Sequence, residues 1–251
     1  MSSLERRVDL NADVGEGAGA DEEIFACITS ANLAAGGHAG DEASVREAVR
    51  RAKRHGVGVG AHPGYADRKN FGRMEMTLAE VEVKRLMREQ VGLVARIAEE
   101  EGVRLKHVKP HGALYNQAAK DPALARAIAE SVAEVDSRLV LFGLAGSELL
   151  RAGASAGLRV ASEVFADRRY LPDGQLVPRS RGGEALVDSA EAAAAQALEM
   201  VRNGQVVAVN GVRVAVRADT ICLHGDSPQA GETARRLRAA LEAAGVSVRA
   251  L

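Results

Sequence analysis

The sequence predicts an α/β protein built as a (β/α) barrel, and three observations support this fold class. Strand-like and helix-like segments alternate along the chain, which is typical of a parallel sheet with helices outside it. Seven or eight such units in 251 residues match a barrel better than an open doubly wound sheet, which is the alternative. Four apolar runs reach a histidine with a glycine just beyond it, as expected for buried strands whose carboxyl ends carry chemistry. We therefore expect a single barrel domain over residues 1–251.

Eight segments are predicted to be strands, because each is a short apolar run bounded by turn residues or helical patterns. They are Val8–Ala12, Ser30–Ala35, Val57–Ala61, Leu105–Val108, Leu139–Phe142, Val160–Phe165, Val206–Val209 and Thr220–Leu223.

The predicted helices carry recognisable end signals. Thr77-Leu78-Ala79-Glu80 has the pattern of a capping box, and Asp121-Pro122 offers an N-cap followed by proline at the first helical position. The helices are expected at Ala43–His55, from Thr77 to about Glu101, from Asp121 onwards, at Asp188–Val201 and at Gln229–Ala244.

Composition excludes several function classes. Lys and Arg (33) nearly balance Asp and Glu (34), so no overall field attracts nucleic acid or an anionic membrane. Aromatic residues make up 3% of the chain, which argues against base-stacking surfaces, and no run of 18 apolar residues predicts a membrane span. Two cysteines do not form a disulfide framework, and the first residues lack a hydrophobic signal region, so we expect a cytoplasmic protein.

The first strand places polar side chains inside the barrel. Alternation puts Asp9, Asn11 and Asp13 on one face and the apolar residues between them on the other. Inward polar groups are costly unless they are paired or hydrated, which favours a functional role over a hydrogen-bond network that only fixes the barrel. The Gly15–Gly19 segment beyond resembles a phosphate loop, but its acidic neighbours would repel a pyrophosphate. No Gly-Lys dipeptide exists to form a Walker A motif.

Four histidines lie at predicted strand ends, and together they indicate one site. They are His38, His62, His111 and His224. Asp13, His38 and His62 could form an open carboxylate–histidine site for a divalent metal that activates water. His107 is expected to pack or to form a hydrogen bond, because it is about 13 Å from His111 along a strand and could not share an ion with it.

Charged residues near the other strand ends allow two interpretations. Lys109 and Glu163 are each either catalytic or members of a buried ion pair. Arg168 and Arg179 lie in the long Ala166–Val187 loop, where they suggest a lid or a clamp for a carboxylate or phosphate, unless the loop is merely solvated. Arg68, in the long loop after the third strand, supports the same idea more weakly.

Seven segments in order resemble the LamB/YcsF family, that of the A subunit of 5-oxoprolinase. They are Asp9–Glu16, Ser30–Asp41, Gly60–Arg68, Val108–Asn116, Glu163–Tyr170, Leu176–Ser180 and His224–Asp226. The resemblance implies an irregular, seven-stranded barrel related to the sugar-deacetylase barrels. The chain departs from the family pattern at Ala35 (usually Cys), at Gly37 (usually Phe) and in the shortened stretch after Glu16.

The family activity is the ATP-driven opening of the lactam of 5-oxo-L-proline to L-glutamate, together with partner subunits B and C. The resemblance therefore implies that the complex uses ATP, in keeping with the absence of a P-loop here. Two alternatives stay open: a metal-dependent, deacetylase-like hydrolase and a non-catalytic subunit that binds substrate. The sequence also leaves a homo-oligomer open.

Residue roles follow from the matching motifs and from the chemistry of lactam hydrolysis, which needs a base, an acid and donors for developing charge. The expected catalytic residues are Asp13, Glu16, His62, Lys109, His111 and Glu163. The expected substrate-binding residues are Asn11, His38, Arg68, Tyr115, Arg168, Arg179, His224 and Asp226.

Overall fold

The computed structural model describes residues 6–17, 21–224 and 230–251, and strands and helices alternate through these ranges. The strands are β1 (Arg7–Val14), β2 (Ser30–Ala34), β3 (Gly58–His62), β4 (Leu105–Val108), β5 (Val140–Leu144), β6 (Arg159–Phe165), β7 (Gln205–Val207), β8 (Arg213–Ala215), β9 (Thr220–Leu223) and β10 (Ser247–Val248). The α-helices are α1 (Asp21–Phe25), α2 (Glu42–His55), α3 (Glu80–Glu100), α4 (Gly112–Ala118), α5 (Pro122–Asp136), α6 (Glu148–Ser155), α7 (Ala190–Asn203) and α8 (Ala230–Ala243). Two 3₁₀ segments cover Arg68–Asn70 and Arg179–Ala185.

Seven strands close into a parallel barrel, which confirms the predicted fold class. Their order is β1-β2-β3-β4-β5-β6-β9, and β9 returns to pair with β1. The short β10 adds to β1 at Arg7 and Val8, outside the ring. All seven barrel strands run in the same direction, so their carboxyl ends meet at one mouth.

The strand predicted at Val206–Val209 is not part of the barrel. Its first residues form β7, which pairs antiparallel with β8 in a separate two-stranded ribbon. The chain reverses at Asn210-Gly211, where Gly211 has φ +83° and the Ala208 N–H donates to the Val212 carbonyl. Because glycine allows this tight turn, the apolar run pairs with β8 in a hairpin and not with a strand of the barrel.

Helix boundaries follow local capping chemistry. The Gly56 C-cap (φ +66°) ends α2 as expected, and the Asp121 carboxylate accepts the N–H groups of Ala123 and Leu124 at the start of α5. The predicted capping box at Thr77–Glu80 is wrong: α3 begins at Glu80. The Glu82 carboxylate takes the Ala79 N–H at 2.8 Å, so the stabilising contact lies inside the first turn and the helix begins later.

The barrel interior has room for large side chains because β3 contributes glycine. A Cβ on Gly60 would lie 2.0 Å from His107 Nε2. His107 fills this space, stacks on Phe142 at 4.3 Å between ring centroids, and bonds Asn32 Oδ1 at 2.8 Å. The prediction that His107 packs or forms a hydrogen bond is confirmed, and the ring does both. None of the helices in the described ranges has the length and apolar character needed to cross a membrane.

Candidate active site

The inward face of β1 forms a polar column that rises through the barrel to its mouth. Asp9, at the lower end, accepts hydrogen bonds from the hydroxyls of Thr29, Ser30 and Thr220 at 2.6–2.7 Å. Burial raises the pKa of the Asp9 carboxyl in spite of these donors. Asp9 is thus part of the network that fixes the barrel, and the reactive groups lie above it.

A buried ammonium group lies at the centre of the barrel. Lys109 Nζ is 2.9 Å from Asp13 Oδ1, 3.0 Å from Glu163 Oε1 and 3.0 Å from Cys222 Sγ. The predicted ion pair between Lys109 and Glu163 is therefore present. Since an ammonium group has three hydrogens, its hydrogen bonds to Asp13, to Cys222 and, at 3.3 Å, to Asn11 Oδ1 occupy its donors within the protein.

The Glu163 carboxylate is fully buried and is held on both oxygens. Asn11 Nδ2 donates to Oε1 at 2.9 Å, and the Tyr115 hydroxyl donates to Oε2 at 2.7 Å. Burial raises the pKa of Tyr115, and the nearby Glu163 charge raises it further, so this hydroxyl keeps its proton. Asn11, Tyr115 and Glu163 thus form one network with Lys109 beneath the mouth.

Three histidine rings stand above this network, close enough to touch. His38 and His111 stack with centroids 3.5 Å apart and planes inclined by 3°. His62 stands at 89° to both rings, at 5.4 Å from His38 and 4.8 Å from His111. All three rings are buried, and the strand ends after β2, β3 and β4 supply one ring each.

Backbone carbonyls orient two of these rings. His62 Nδ1 bonds the Lys109 carbonyl at 2.7 Å, and His111 Nε2 bonds the Phe71 carbonyl at 2.9 Å. A carbonyl only accepts, so each of these nitrogens carries a hydrogen. The opposite nitrogens, His62 Nε2 and His111 Nδ1, face one another at 2.9 Å.

Two carboxylates complete the cluster of rings. Glu16 Oε1 is 2.9 Å from His38 Nε2 and 3.4 Å from His111 Nδ1. Asp13 Oδ2 is 3.3 Å from His62 Nε2. One donor atom from each of Glu16, His38, His62 and His111 lies within 4.8 Å of the others, and a carboxylate with imidazoles is a donor set that suits a divalent transition metal. The site therefore fits a metal ion.

Charge and burial separate the protonation states of these groups. Burial alone would raise the pKa of Asp13, but His62 and Lys109 hold it well below its usual value. Burial lowers the pKa of His62, yet the Asp13 charge outweighs this and the net pKa is raised. Burial lowers the pKa of His38, and it lowers that of His111 further. Asp13 thus stays ionised, while His38 and His111 are neutral.

An aspartate–histidine pair faces the cluster from the other side of the mouth. His224 Nδ1 is 2.9 Å from Asp167 Oδ2, and the backbone N–H of His224 donates to the same oxygen. Burial would raise the pKa of Asp167, but the His224 ring and N–H hold it at about 2. His224 also stacks on Phe165, at 5.6 Å between ring centroids. Asp13, Cys222 and His224 offer donor atoms within 4.8 Å, so the pair opens onto the same space.

The predicted arginines lie outside this cluster. Arg68 is exposed and donates to the carbonyls of Gly36 and Gly40, which ties down the loop that carries His38. Arg168 is buried and donates to the carbonyls of Val177 and Ala185 within its own loop. Arg179 is half-buried, near enough to Asp167 and Arg168 to affect the pKa of each. Asp226 lies outside the described residues.

The sequence analysis missed Phe71 and Gln90, which shape the cluster. Phe71 is the only described non-glycine residue with positive φ (+55°), and its ring packs against His38 and His111 at 5.4 Å. The Gln90 amide pairs with both backbone groups of Gly64, at 2.7 and 3.0 Å. Asn70-Phe71-Gly72 is a visible turn signal, whereas nothing in the helical pattern around Gln90 marks its role.

The tight contacts of Gln90 also explain one departure from the family pattern. A Cβ on Gly37 would lie 2.5 Å from the Gly64 carbonyl oxygen and 2.6 Å from Gln90 Nε2. Gly37, expected from the sequence to depart from the family pattern, therefore has no room for a side chain.

Comparison with known proteins places the chain in a family. Residues 8–251 match the model of the LamB/YcsF family. A protein of Neisseria meningitidis serogroup C, named as the A subunit of 5-oxoprolinase, is 55% identical over 245 residues, which cover 98% of this chain and 100% of that protein. A lactam utilization protein from Thermus thermophilus superposes with a TM-score of 0.90 at 50% identity, over 98% of this chain and 100% of that one.

More distant solved structures share the barrel. A structure named T48 deacetylase with substrate superposes with a TM-score of 0.52 at 12% identity, over 97% of this chain and 87% of that one. At this identity the likeness concerns the fold alone: this chain and that deacetylase share a (β/α) barrel.

Proposed function

Since the chain belongs to the LamB/YcsF family, we propose that it is the A subunit of an ATP-dependent 5-oxoprolinase. In this proposal it opens the lactam of 5-oxo-L-proline to L-glutamate in a complex with subunits B and C, and the complex hydrolyses ATP. The observation that carries the proposal is the convergence of ionised carboxylates and imidazoles on one mouth, in a chain 55% identical to proteins of that name.

The chemistry of a lactam explains why such a site is needed. A five-membered lactam is stable, so opening it calls for activation of the carbonyl, a base for the attacking water and an acid for the leaving nitrogen. We propose that ATP activates the lactam by phosphorylation of its oxygen. This transfer forms the phosphorus–oxygen bond and releases ADP. One water then adds to the carbon and the carbon–nitrogen bond breaks, which gives the free amine and an acyl phosphate. A second water cleaves the acyl phosphate, so that inorganic phosphate leaves and the carboxylate forms.

Glu16 is the group that we propose as the base. It is only partly exposed, at the mouth, and its Oε1 already accepts a hydrogen bond from the His38 ring. Asp13 is less suited to receive the water proton, because His62 and Lys109 keep its pKa well below the usual value. Asp13 instead accepts hydrogen bonds and orients His62.

His224 is the group that we propose as the acid for the leaving nitrogen. The Asp167 carboxylate fixes the orientation of the ring, as carboxylates do for catalytic histidines. Arg179, whose charge reaches Asp167, is the cation that we propose for the substrate carboxylate. We expect Lys109 to act through Asp13 and Glu163, because its donors are occupied by buried neighbours.

The same mouth also suits a divalent cation, and in a site that holds the cation Glu16 would be a ligand and not the base. The donor set of Glu16, His38, His62 and His111 supports this proposal. It shares His38 and His62 with the site expected from the sequence, and it has Glu16 and His111 in place of Asp13. A bound cation would supply positive charge near the carbonyl oxygen and lower the pKa of water. A metal-dependent, deacetylase-like hydrolase therefore remains the second candidate function, because of this donor set.

Release of glutamate from 5-oxoproline tests the proposed function directly. We expect glutamate only when this protein, ATP and both partner subunits are all present. Replacement Glu16→Gln should abolish turnover in the complex, and the exposed Glu47→Gln on α2 is the matched control. Wild-type turnover with Glu16→Gln would show that Glu16 is not the base and would favour a non-catalytic, substrate-binding subunit. Deacetylation of acetylated sugars without ATP would favour the metal-dependent, deacetylase-like hydrolase.

A further inference from the structure

The cluster of three histidines cannot bind one metal ion with all of its rings. An imidazole binds a metal through a lone pair that lies in the plane of the ring. His38 and His111 are parallel within 3°, with centroids 3.5 Å apart. An ion in the plane of one ring, about 2.0–2.1 Å from its nitrogen, would lie far above the plane of the other. Only one of these two rings can therefore be a ligand.

His62 does not share this restriction. Its ring stands at 89° to both His38 and His111, so its plane crosses theirs. Its Nδ1 hydrogen is given to the Lys109 carbonyl, which leaves the Nε2 lone pair directed at the cluster. A metal-binding histidine nearly always has its second nitrogen held in this way.

The hydrogen bonds of the stacked pair distinguish His111 from His38. His111 gives its Nε2 hydrogen to the Phe71 carbonyl, so its Nδ1 lone pair faces His62 Nε2 at 2.9 Å. Two lone pairs that face each other across this distance repel unless a proton or a cation lies between or beside them. His62 and His111 are thus both prepared as ligands by fixed backbone acceptors.

His38 has the opposite arrangement. Its Nδ1 is buried and has no hydrogen-bond partner among the described residues. A Cβ on Gly64 would lie 2.7 Å from this nitrogen, so an α-hydrogen of Gly64 points toward it. If Nε2 bound a metal, Nδ1 would carry a hydrogen aimed at a C–H group, and a buried N–H without an acceptor is costly. The favoured tautomer keeps the hydrogen on Nε2, which donates to Glu16 at 2.9 Å.

We propose that a divalent transition-metal ion is bound by Glu16, His62 Nε2 and His111 Nδ1, and that His38 stays outside the coordination sphere and orients Glu16. Asp13 Oδ2 lies 3.3 Å from His62 Nε2, beside the proposed ligands and not among them. This assignment rests on the cation part of the proposed function, and it replaces His38 and Asp13 as ligands by His111 and Glu16.

Imidazole ¹⁵N spectra of the wild-type protein with Zn²⁺ test the assignment without a mutation. Two-bond ¹H–¹⁵N correlations distinguish the nitrogen that carries hydrogen from the nitrogen that binds metal. We expect the hydrogen on Nδ1 of His62, on Nε2 of His111 and on Nε2 of His38. A His38 ring with hydrogen on Nδ1 and metal on Nε2 would overturn the proposal.

Metal affinity of variants provides a second measurement. Chelator-treated protein is titrated with Co²⁺, and visible absorption and bound metal are measured for His62→Gln, His111→Gln and His38→Gln, with the exposed His55→Gln as control. The first two should bind at least about 100-fold more weakly, whereas His38→Gln, which keeps a donor for Glu16, should lose about 10-fold or less. Equal losses for His38→Gln and His111→Gln would refute the assignment.

The outcomes separate this inference from the proposed function. If wild-type protein binds neither Co²⁺ nor Zn²⁺, the cation part of the proposed function fails, and the ligand assignment fails with it. If the metal binds through His38, the ligand assignment alone fails. Glutamate release by the full complex is measured independently of both.

Discussion

Replacement of Lys109 by methionine tests whether one ammonium group neutralises the barrel interior. Nζ lies within 3.0 Å of Asp13 and Glu163, and the side chain is 3% exposed. Removing one partner of a buried ion pair costs about 3–5 kcal/mol, because it leaves a buried charge without compensation. The hydrogen bonds to both carboxylates from neutral donors remain in the variant. We therefore expect Lys109→Met to lower the free energy of unfolding by about 3–5 kcal/mol near neutral pH.

The loss of stability in Lys109→Met should become smaller as the pH falls. In the wild-type protein the pKa of Asp13 is depressed, so its contribution to stability is present above the unfolded value of about 3.9 and is lost only at more acidic pH. Without the Lys109 charge, the ionised form of the buried carboxylates is less stable, so the folded variant binds protons on them more readily than wild type does. Each additional bound proton stabilises the variant by about 1.4 kcal/mol per pH unit of acidification. The difference in the free energy of unfolding between Lys109→Met and wild type should therefore become smaller by about 1–3 kcal/mol between pH 7.5 and 5.5.

Urea unfolding with a chelator present measures both effects, since the chelator removes any contribution from bound metal. Lys106→Met is the matched control, because Lys106 lies on the same strand with an exposed side chain. We expect the control to stay within about 0.5 kcal/mol of wild type at every pH. A Lys109→Met protein within about 1 kcal/mol of wild type, with a difference that does not change with pH, would refute the assignment of Lys109 as the interior counter-charge.

Two further substitutions test the barrel packing and the proposed acid. Gly60→Ala should destabilise the protein by about 2–5 kcal/mol in urea unfolding, because its Cβ would displace His107 and break a buried hydrogen bond. Gly58→Ala, whose Cβ would meet its nearest atom at 3.4 Å, should cost far less, and equal losses would contradict this packing argument. Asp167→Asn should lower turnover of the reconstituted complex by about 10²–10⁴-fold, since His224 loses its orienting carboxylate. Unchanged turnover of Asp167→Asn would contradict the proposal that His224 is the acid.

The barrel could be predicted from the sequence because its strands are apolar runs of the right length, each ending at a marked residue. The run at Val206–Val209 has the same composition, but the turn at Gly211 pairs it locally. Periodicity does not reveal which partner a strand chooses. The Asn210-Gly211 dipeptide after the run is the feature of the sequence that favours a local hairpin over a barrel strand. The short helices α1, α4 and α6 were not predicted, since five to eight residues hold too few turns for a periodic signal.

The members of the site were more predictable than their roles. Strand-end position identifies His38, His62 and His111, and inward alternation identifies Asn11 and Asp13, because both follow from backbone geometry. The ring tautomers depend on which carbonyl lies behind each ring, and those carbonyls belong to residues distant in the chain. Sequence spacing contains no information on such contacts.

The position of Asp13 connects the structural network to the chemistry of the mouth. Its Oδ1 accepts from Lys109 and Asn32, and its Oδ2 faces His62. One carboxylate therefore balances the buried ammonium below and holds the imidazole above. Because both contacts depend on the same ionised group, any change at Lys109 must alter the charge that His62 experiences. Stability of the barrel interior and protonation at the mouth are thus coupled through a single side chain.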